Sequence, residues 1–275
     1  MAETLVADGS ITRKPGAFEK RIHEIDFIRG FLIMLVLMDH LFWCLQNYNG
    51  IWMETTGGAF FKWMYDVFSF YWDSAAREVV RFFALFGFCF ISGVSSAFSR
   101  NNWIRAGQML LVAGLLAVGS NLLDASHLLG ESQGSVRIDF NVIAVLAWST
   151  LFYCFVQSKS WRVIMIGVLV TFLLSVWIIP DLHDIYLLKG WKAYVPALWE
   201  PDGQADWMPL FPFIFFFFLG GFISKFVYAE RKSIIKAKGN WERPFCFMGR
   251  HSLWIYLGHQ AVMLPFFLLL NVFLG

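Results

Sequence analysis

Charge is what this sequence has least of. Only 15% of its 275 residues are Asp, Glu, Lys or Arg, against 58% hydrophobic. That is too little polar surface to coat a water-soluble globule of this length, so a soluble protein is excluded and lipid is the main solvent. Cysteine is scarce as well. Cys44, Cys89, Cys154 and Cys246 show no CxxC spacing and no neighbouring histidine cluster. Neither a disulfide framework nor a zinc site is indicated; no metal is expected, and all four read as small packing residues. The first apolar run, Phe27 to Cys44, lacks a small-residue cleavage site, is interrupted by Arg29 and Asp39, and is followed by further apolar runs. It therefore reads as a first membrane span rather than a removable signal peptide. No internal repeat stands out, which argues against common secondary-transporter designs.

What the sequence has in quantity is long apolar runs. Crossing about 30 Å of hydrocarbon at 1.5 Å per residue takes roughly 20 apolar residues. Seven runs meet that requirement, at about 26–46, 79–98, 106–123, 139–157, 162–180, 208–228 and 250–273. The expected fold class is all-α: a polytopic integral membrane helical bundle of about seven transmembrane helices, with residues 1–22 preceding a transmembrane domain over 23–275. The aromatic stretch from Gly57 to Ala76 is too broken to span and predicts a helix lying in the membrane interface.

The 22 Lys and Arg residues sort unevenly across this plan. Arg13, Lys14, Lys20, Arg21 and Arg29 precede or enter span one. Arg100 and Arg105 join spans two and three, and Lys159 and Arg162 join four and five. Lys225, Arg231, Lys232, Lys236, Lys238, Arg243 and Arg250 surround the link from six to seven. Only Lys62, Arg77, Arg81, Arg137, Lys189 and Lys192 fall on the other side. The basic excess marks the cytoplasm and predicts a cytoplasmic N-terminus. The outward segments instead mix acids, including Glu54, Asp66, Asp124, Glu131, Asp184, Glu200 and Asp202, with Trp191, Tyr194, Trp199 and other aromatics. Acid beside aromatic suits a sugar or an amine, although interfacial belts also account for many of the rings.

Titratable groups inside a span are costly and so are functional candidates. Span one carries Arg21, Glu24, Asp26 and Arg29 at its mouth, then Asp39 and His40 beyond an apolar stretch. Arg29 and His40 are eleven positions apart, which returns them to nearly the same helix face about 16 Å apart along the axis. A cation and a deep imidazole so placed suit a phosphorylated thioester donor, with Arg29 toward its anionic end. Asp26 pairing Arg29 as a mouth anchor is the plainer alternative. Span seven adds Ser252, Tyr256 and His259 on one stripe. Two histidines at similar depth, His40 and His259, could share one cavity; bonding between packed helices would equally explain each.

The run Arg21-Ile-His-Glu-Ile-Asp-Phe-Ile-Arg-Gly30, with His40 fourteen positions after Asp26, resembles the opening signature of transmembrane acyltransferases. Phe90-Ile-Ser-Gly-Val94, Asp206-Trp-Met-Pro-Leu-Phe-Pro212 with Gly220-Gly221, and Gly249-Arg-His-Ser-Leu-Trp-Ile-Tyr-Leu-Gly-His-Gln260 resemble, in order, landmarks of the heparan-α-glucosaminide N-acetyltransferase-like group. The chain departs from that group in two places. Animal members carry Asn at the position of His40 and a reactive His in the following loop, where residues 46–78 hold none. The family's Gly-Ile-Leu-His run appears here as Asn141-Val-Ile-Ala144.

The resemblance implies acetyl transfer from cytosolic acetyl-CoA to an amine or hydroxyl of a sugar or glycoconjugate at the outer face. His40 would act as base or acetyl carrier, with His259 beside it; Asp39, about 100° round the helix, is a weaker candidate to orient His40. Asp26, Arg29, Arg250, Ser252 and Tyr256 would serve the donor. The expected setting is a lipid bilayer, as a multi-pass protein of a bacterial cytoplasmic membrane. No nucleic acid partner is expected, and a homodimer is left open. A transporter or channel lined by Arg29, Asp39, His40 and His259, and a non-catalytic membrane scaffold, are the rival readings.

Overall fold

The computed structural model describes residues 4–5, 11–12, 22–56, 58–99, 101–126, 137–181, 206–229, 232–235 and 239–274. Of the residues singled out above, Arg13, Lys14, Lys20, Arg21, Gly57, Arg100, Glu131, Asp184, Lys189, Trp191, Lys192, Tyr194, Trp199, Glu200, Asp202, Arg231, Lys236 and Lys238 lie outside the described residues, as does most of the expected 1–22 segment.

Helices dominate, as expected; a two-residue antiparallel ladder between Thr4–Leu5 and Ile11–Thr12 is the exception. The described residues form α1 (His23–Thr56), α2 (Ala59–Trp72), α3 (Ala75–Ser96), α4 (Asn102–Ala125), α5 (Val142–Cys154), α6 (Trp161–Asp181), α7 (Phe213–Val227), α8 (Arg243–Arg250) and α9 (Ser252–Leu274). Each predicted span coincides with one of these, but their lengths differ from the expectation. Three are long and apolar enough to cross a membrane: His23–Glu54, Ala75–Ser96 and Asn102–Ala125. The expected spans at 139–157 and 208–228 contract to helices of 13 and 15 residues. The first begins late because Asn141 caps it, its side chain accepting from the Ile143 and Ala144 amides. Asn-Val-Ile-Ala is thus a helix start here.

α1 overruns its predicted end by ten residues. Just past that end, Asn47 and Asn49 donate their amides to the carbonyls of Trp43 and Leu45 at 2.8 and 2.6 Å. Bonding one turn back keeps their polar ends on the helix and lets it continue. α2 then runs antiparallel along the second half of α1. Trp52 meets Phe61, Gln46 bonds Ser69, and Phe42 packs on Phe68 and Tyr71. A helix is present where the aromatics predicted one, and its inner rings are held by α1. Its other face, Phe60, Trp63, Val67 and Phe70, is exposed at helical spacing.

The chain divides into two compact units, residues 1–84 with 228–275 and residues 85–227. The first holds α1, α2, α8, α9 and the start of α3. There α1 and α9 run parallel: His40 sits against His259, and eight residues further along each helix Tyr48 stacks on Phe267 at 5.1 Å. Cys44, Tyr48, Trp52 and Phe267 form the core of this seam. α1 also crosses α8 at Gly30 and Gly249, where a Cβ on either glycine would overlap the other helix's backbone, at the carbonyls of Phe245 and Asp26 respectively. Such close approach of small residues is how helices associate where lipid supplies no hydrophobic drive. The second unit repeats the device, with Gly93 of α3 against the Phe217 carbonyl of α7 and Gly220 of α7 against the Phe90 carbonyl of α3.

Candidate active site

The parallel seam of α1 and α9 brings the two span histidines together. The His40 and His259 rings lie edge to face, with centroids 4.7 Å apart and planes at 81°. They meet because each heads a stripe at four-residue spacing, His40-Cys44-Tyr48-Trp52 on α1 and His259-Met263-Phe267 on α9. His40 is half-buried and His259 buried. Nδ1 of His40 lies 2.9 Å from the Val36 carbonyl, and Nδ1 of His259 lies against the Tyr256 carbonyl. A carbonyl can only accept, so in each ring Nδ1 carries hydrogen, and in the neutral imidazole Nε2 holds the lone pair. The pair therefore presents two basic nitrogens whose rings are orientated by backbone one turn away. Tyr256 packs its ring 5.3 Å from His259, and Ser252 is buried at the start of the same helix.

Asp39, next to His40 in sequence, faces elsewhere. Arg77 holds its carboxylate with two bonds, Nε to Oδ1 at 2.8 Å and Nη2 to Oδ2 at 3.1 Å, and the Tyr71 hydroxyl adds a third at 3.3 Å. Arg77 is itself only 6% exposed, lies over the Trp72 ring at 3.4 Å, and donates from Nη1 to Glu78 at 3.1 Å. Asp39 makes no hydrogen bond to His40. Its partner went unrecognised because the two are 38 residues apart. One signal was available: Arg77 is one of the few cations in the segments that the charge count expects to face outward, where a buried acid is a reason to keep one.

The N-terminal end of α1 gathers a second polar group. Asp26 faces Arg250 of α8, with Oδ2 3.9 Å from Nε. Arg250 also donates to the Cys246 carbonyl at 3.0 Å. Arg29 is half-buried one turn after Asp26. Glu24 is buried and accepts from the Ser233 hydroxyl and, at 2.7 Å, from the Ile234 amide. His23 lies 2.7 Å through Nε2 from Glu242 and 3.5 Å through Nδ1 from the Cys246 sulfur. Of these residues His23, Glu242, Cys246 and Arg250 line an open cavity of about 460 Å³, together with Gly239, Asn240 and Arg243. Burial above all, then the charge of Asp26, pushes the Cys246 thiol up, with Arg250 acting in the opposite sense. Among the described residues no group of three or more His, Cys, Asp or Glu is arranged to hold a metal ion.

The predicted residues thus fall into two sets. His40, His259 and Tyr256 converge on the α1–α9 seam, while Asp26 and Arg250 converge at the α1 N-terminal end with Arg29 nearby. The family model for heparan-alpha-glucosaminide N-acetyltransferase, catalytic, matches residues 21–261, which takes in both sets. The chain belongs to this family. No curated protein and no solved structure gives a significant match. As a member of the heparan-alpha-glucosaminide N-acetyltransferase catalytic family with long apolar helices, it is a membrane protein of the acetyltransferase class. The resemblance drawn from four separate motifs is confirmed over nearly the whole chain. The Asp206–Pro212 motif leads into α7 through a cis Phe211–Pro212 bond. Gly249-Arg250 closes α8 against α1, so two of the family-like landmarks do structural work at helix approaches.

Proposed function

We propose that this protein moves an acetyl group from acetyl-CoA, entering at the α1 N-terminal end from the cytosol, to the amine or hydroxyl of a sugar or glycoconjugate at the outer face of the membrane. The observation that carries this reading is the His40–His259 pair, two imidazoles 4.7 Å apart in a seam of apolar helices. An imidazole titrates near neutral pH and can sit in such a seam uncharged. With its Nδ1 hydrogen held by Val36, His40 directs a basic Nε2 at the acceptor and takes its proton as the nucleophile attacks the acetyl carbonyl. His259 fixes the His40 ring from the side and shares the imidazolium charge that forms. Attack by His40 itself, giving an acetyl-histidine, uses the same nitrogen.

The donor end is supported by the arginines. Arg29 is eleven residues before His40 on α1, about 16 Å along the axis, and Arg250 with Arg243 borders the cavity beside it. Guanidinium groups suit phosphate because they bond it in a forked, always-charged geometry. Asp26 faces Arg250, and Ser252 and Tyr256 stand on α9 between Arg250 and His259 in sequence. The domain proper is residues 23–275, with seven crossings and a cytoplasmic N-terminus. The parallel run of α1 and α9 supports that count, since first and seventh spans must point the same way. Asp39 is neutralised by Arg77, which removes the acid a proton-transport reading would use.

Purified protein supplied with acetyl-CoA carrying a labelled acetyl group and with glucosamine as acceptor transfers label to the sugar. His40→Ala lowers that rate by about 10²–10⁴-fold, the usual contribution of a positioned base, without a change in thermal unfolding. Undiminished transfer in the folded variant would remove His40 from the mechanism.

A further inference from the structure

Three side chains at the α1 N-terminal end stand in the order of a nucleophile, its base and the group that orients the base. Glu242, buried in the 3₁₀ turn Asn240–Glu242, accepts from Nε2 of His23 at 2.7 Å. A carboxylate can only accept, so Nε2 carries hydrogen and, in the neutral ring, Nδ1 has the lone pair. That nitrogen faces the Cys246 sulfur at 3.5 Å. The arrangement is the reverse of that in His40, where Nδ1 is the hydrogen-bearing atom. His23 thus has its basic nitrogen turned to a thiol by design of its neighbours. The other three cysteines are also buried, but Cys246 alone among them lines the cavity, which Arg243 and Arg250 make cationic. A thiol held in its protonated form by burial and by Asp26 is a poor nucleophile unless a base takes its proton, and His23 is placed to do so.

We infer that Cys246, His23 and Glu242 form a second nucleophilic site, which accepts an acyl group from a thioester whose carrier is anionic. The proposal rests on the donor assigned above for its substrate class. In the step, His23 Nδ1 takes the thiol proton and the sulfur attacks the thioester carbonyl. The carbonyl–sulfur bond to the carrier breaks, and the carrier thiolate leaves with the proton from His23. Cys246 ends as a thioester and the carrier as a free thiol. Nothing is oxidised or reduced, and the free carrier thiol reverses the reaction. Cys246 belongs to a site separate from the histidine pair, because His23 precedes His40 by seventeen residues of helix, about 25 Å. Acylation there fills the cavity beside Arg250 and so competes with donor entry.

The test is intact-protein and peptide mass spectrometry after incubation with acetyl-CoA, with S-acetylation read by its lability to hydroxylamine. The expected result is label on Cys246 and none on Cys44, Cys89 or Cys154. His23→Gln slows labelling by about 10²-fold or more, Glu242→Gln slows it less, and Glu242→Asp restores part of the rate. Arg243→Ala raises the acetyl-CoA concentration needed for half-maximal labelling but leaves labelling by a small uncharged thioester, N-acetylcysteamine S-acetate, unchanged. Iodoacetamide provides a readout independent of the donor: it alkylates Cys246 faster in the wild-type chain than in His23→Gln. The thermal unfolding of each variant is followed alongside, and the Asp variant keeps the test open if the Gln variant does not fold. Absence of label on Cys246, or label indifferent to His23, overturns the proposal. Label on Cys246 persisting in His40→Ala supports it. Loss of sugar transfer with Cys246 still labelled counts against the proposed function alone; sugar transfer with no label counts against this site alone. Neither transfer nor label overturns both.

Discussion

The two units treat their polar side chains differently. In residues 85–227 most of the buried hydroxyls bond back to their own helix: Ser96 to the Ser92 carbonyl, Thr150 to Leu146, Thr171 to Gly167, Ser175 to Thr171 and Ser224 to Gly221. Longer reaches exist: Asn102 to Gln157 at 2.5 Å and Asn121 to Asp139 at 2.8 Å near helix ends, and the Tyr153 hydroxyl to the Gly221 carbonyl at 3.3 Å. In the other unit Asn49, His40 and His259 also bond back to their own helices, but charged and titratable groups meet partners far away in sequence as well: Arg77 with Asp39, His23 with Glu242 and Cys246, Glu24 with Ser233, and the His40 ring with that of His259. A hydroxyl satisfied by its own helix makes no demand on tertiary structure. A charged or titratable group satisfied by a distant helix fixes that helix and is available for chemistry. Under the proposed function, the difference makes residues 85–227 the scaffold and the other unit the seat of the reaction, although both use the same glycine-to-carbonyl approach to bring helices together.

The comparison can be broken most severely at Arg77. Replacing it by Ala strands the Asp39 carboxylate beside His40, and removing one member of a buried pair costs about 3–5 kcal/mol. The expected outcome is a large fall in thermal unfolding temperature in detergent together with loss of acetyl transfer. The double variant Asp39→Asn with Arg77→Gln, which leaves no unpaired charge, recovers part of the stability; equal damage in the double and single variants would deny the pairing. Next is the helix crossing of the reactive unit. Gly249→Ala drives a methyl into the Asp26 carbonyl, and overpacking of this kind costs about 1–3 kcal/mol. Because the crossing also sets Cys246 and Arg250 against α1, the half-saturating acetyl-CoA concentration rises as well. The equivalent change in the scaffold unit, Gly220→Ala against Phe90, lowers unfolding temperature comparably while that concentration stays unchanged. The smallest effect is expected from Ser224→Ala, which removes one back-bond to Gly221. A single neutral hydrogen bond is worth about 1 kcal/mol, and transfer activity stays at the wild-type level. A loss of activity there would erase the distinction between the units.

How far the sequence could be read follows the same division. The helices, the two span histidines and the family were legible, because charge inside an apolar run is conspicuous and the motifs are local. His40 and His259 were also correctly expected to share a depth, since each stands about midway in its own apolar run. What was hidden depended on distance in the chain. Asp39 looked like a companion of His40, yet the α1 register turns it toward Arg77. Cys246 read as a small packing residue and is buried; its contact with His23, 223 residues away, was hidden because only the α1–α8 crossing makes them neighbours. The extension of α1 past residue 46 was also hidden, because Asn47 and Asn49 bond to the preceding turn and the added turns pack against α2 and Phe267, neither of which is local in sequence.

The account stands on the two imidazoles acting as one device. The most direct measurement is single-turnover acetyl transfer to glucosamine by His40→Ala, His259→Ala and the double variant, each checked for intact folding. Groups that act as a unit lose their effect together, so the double variant should be no slower than His40→Ala alone. Losses that multiply, or a His40→Ala chain that transfers at the wild-type rate, would contradict it.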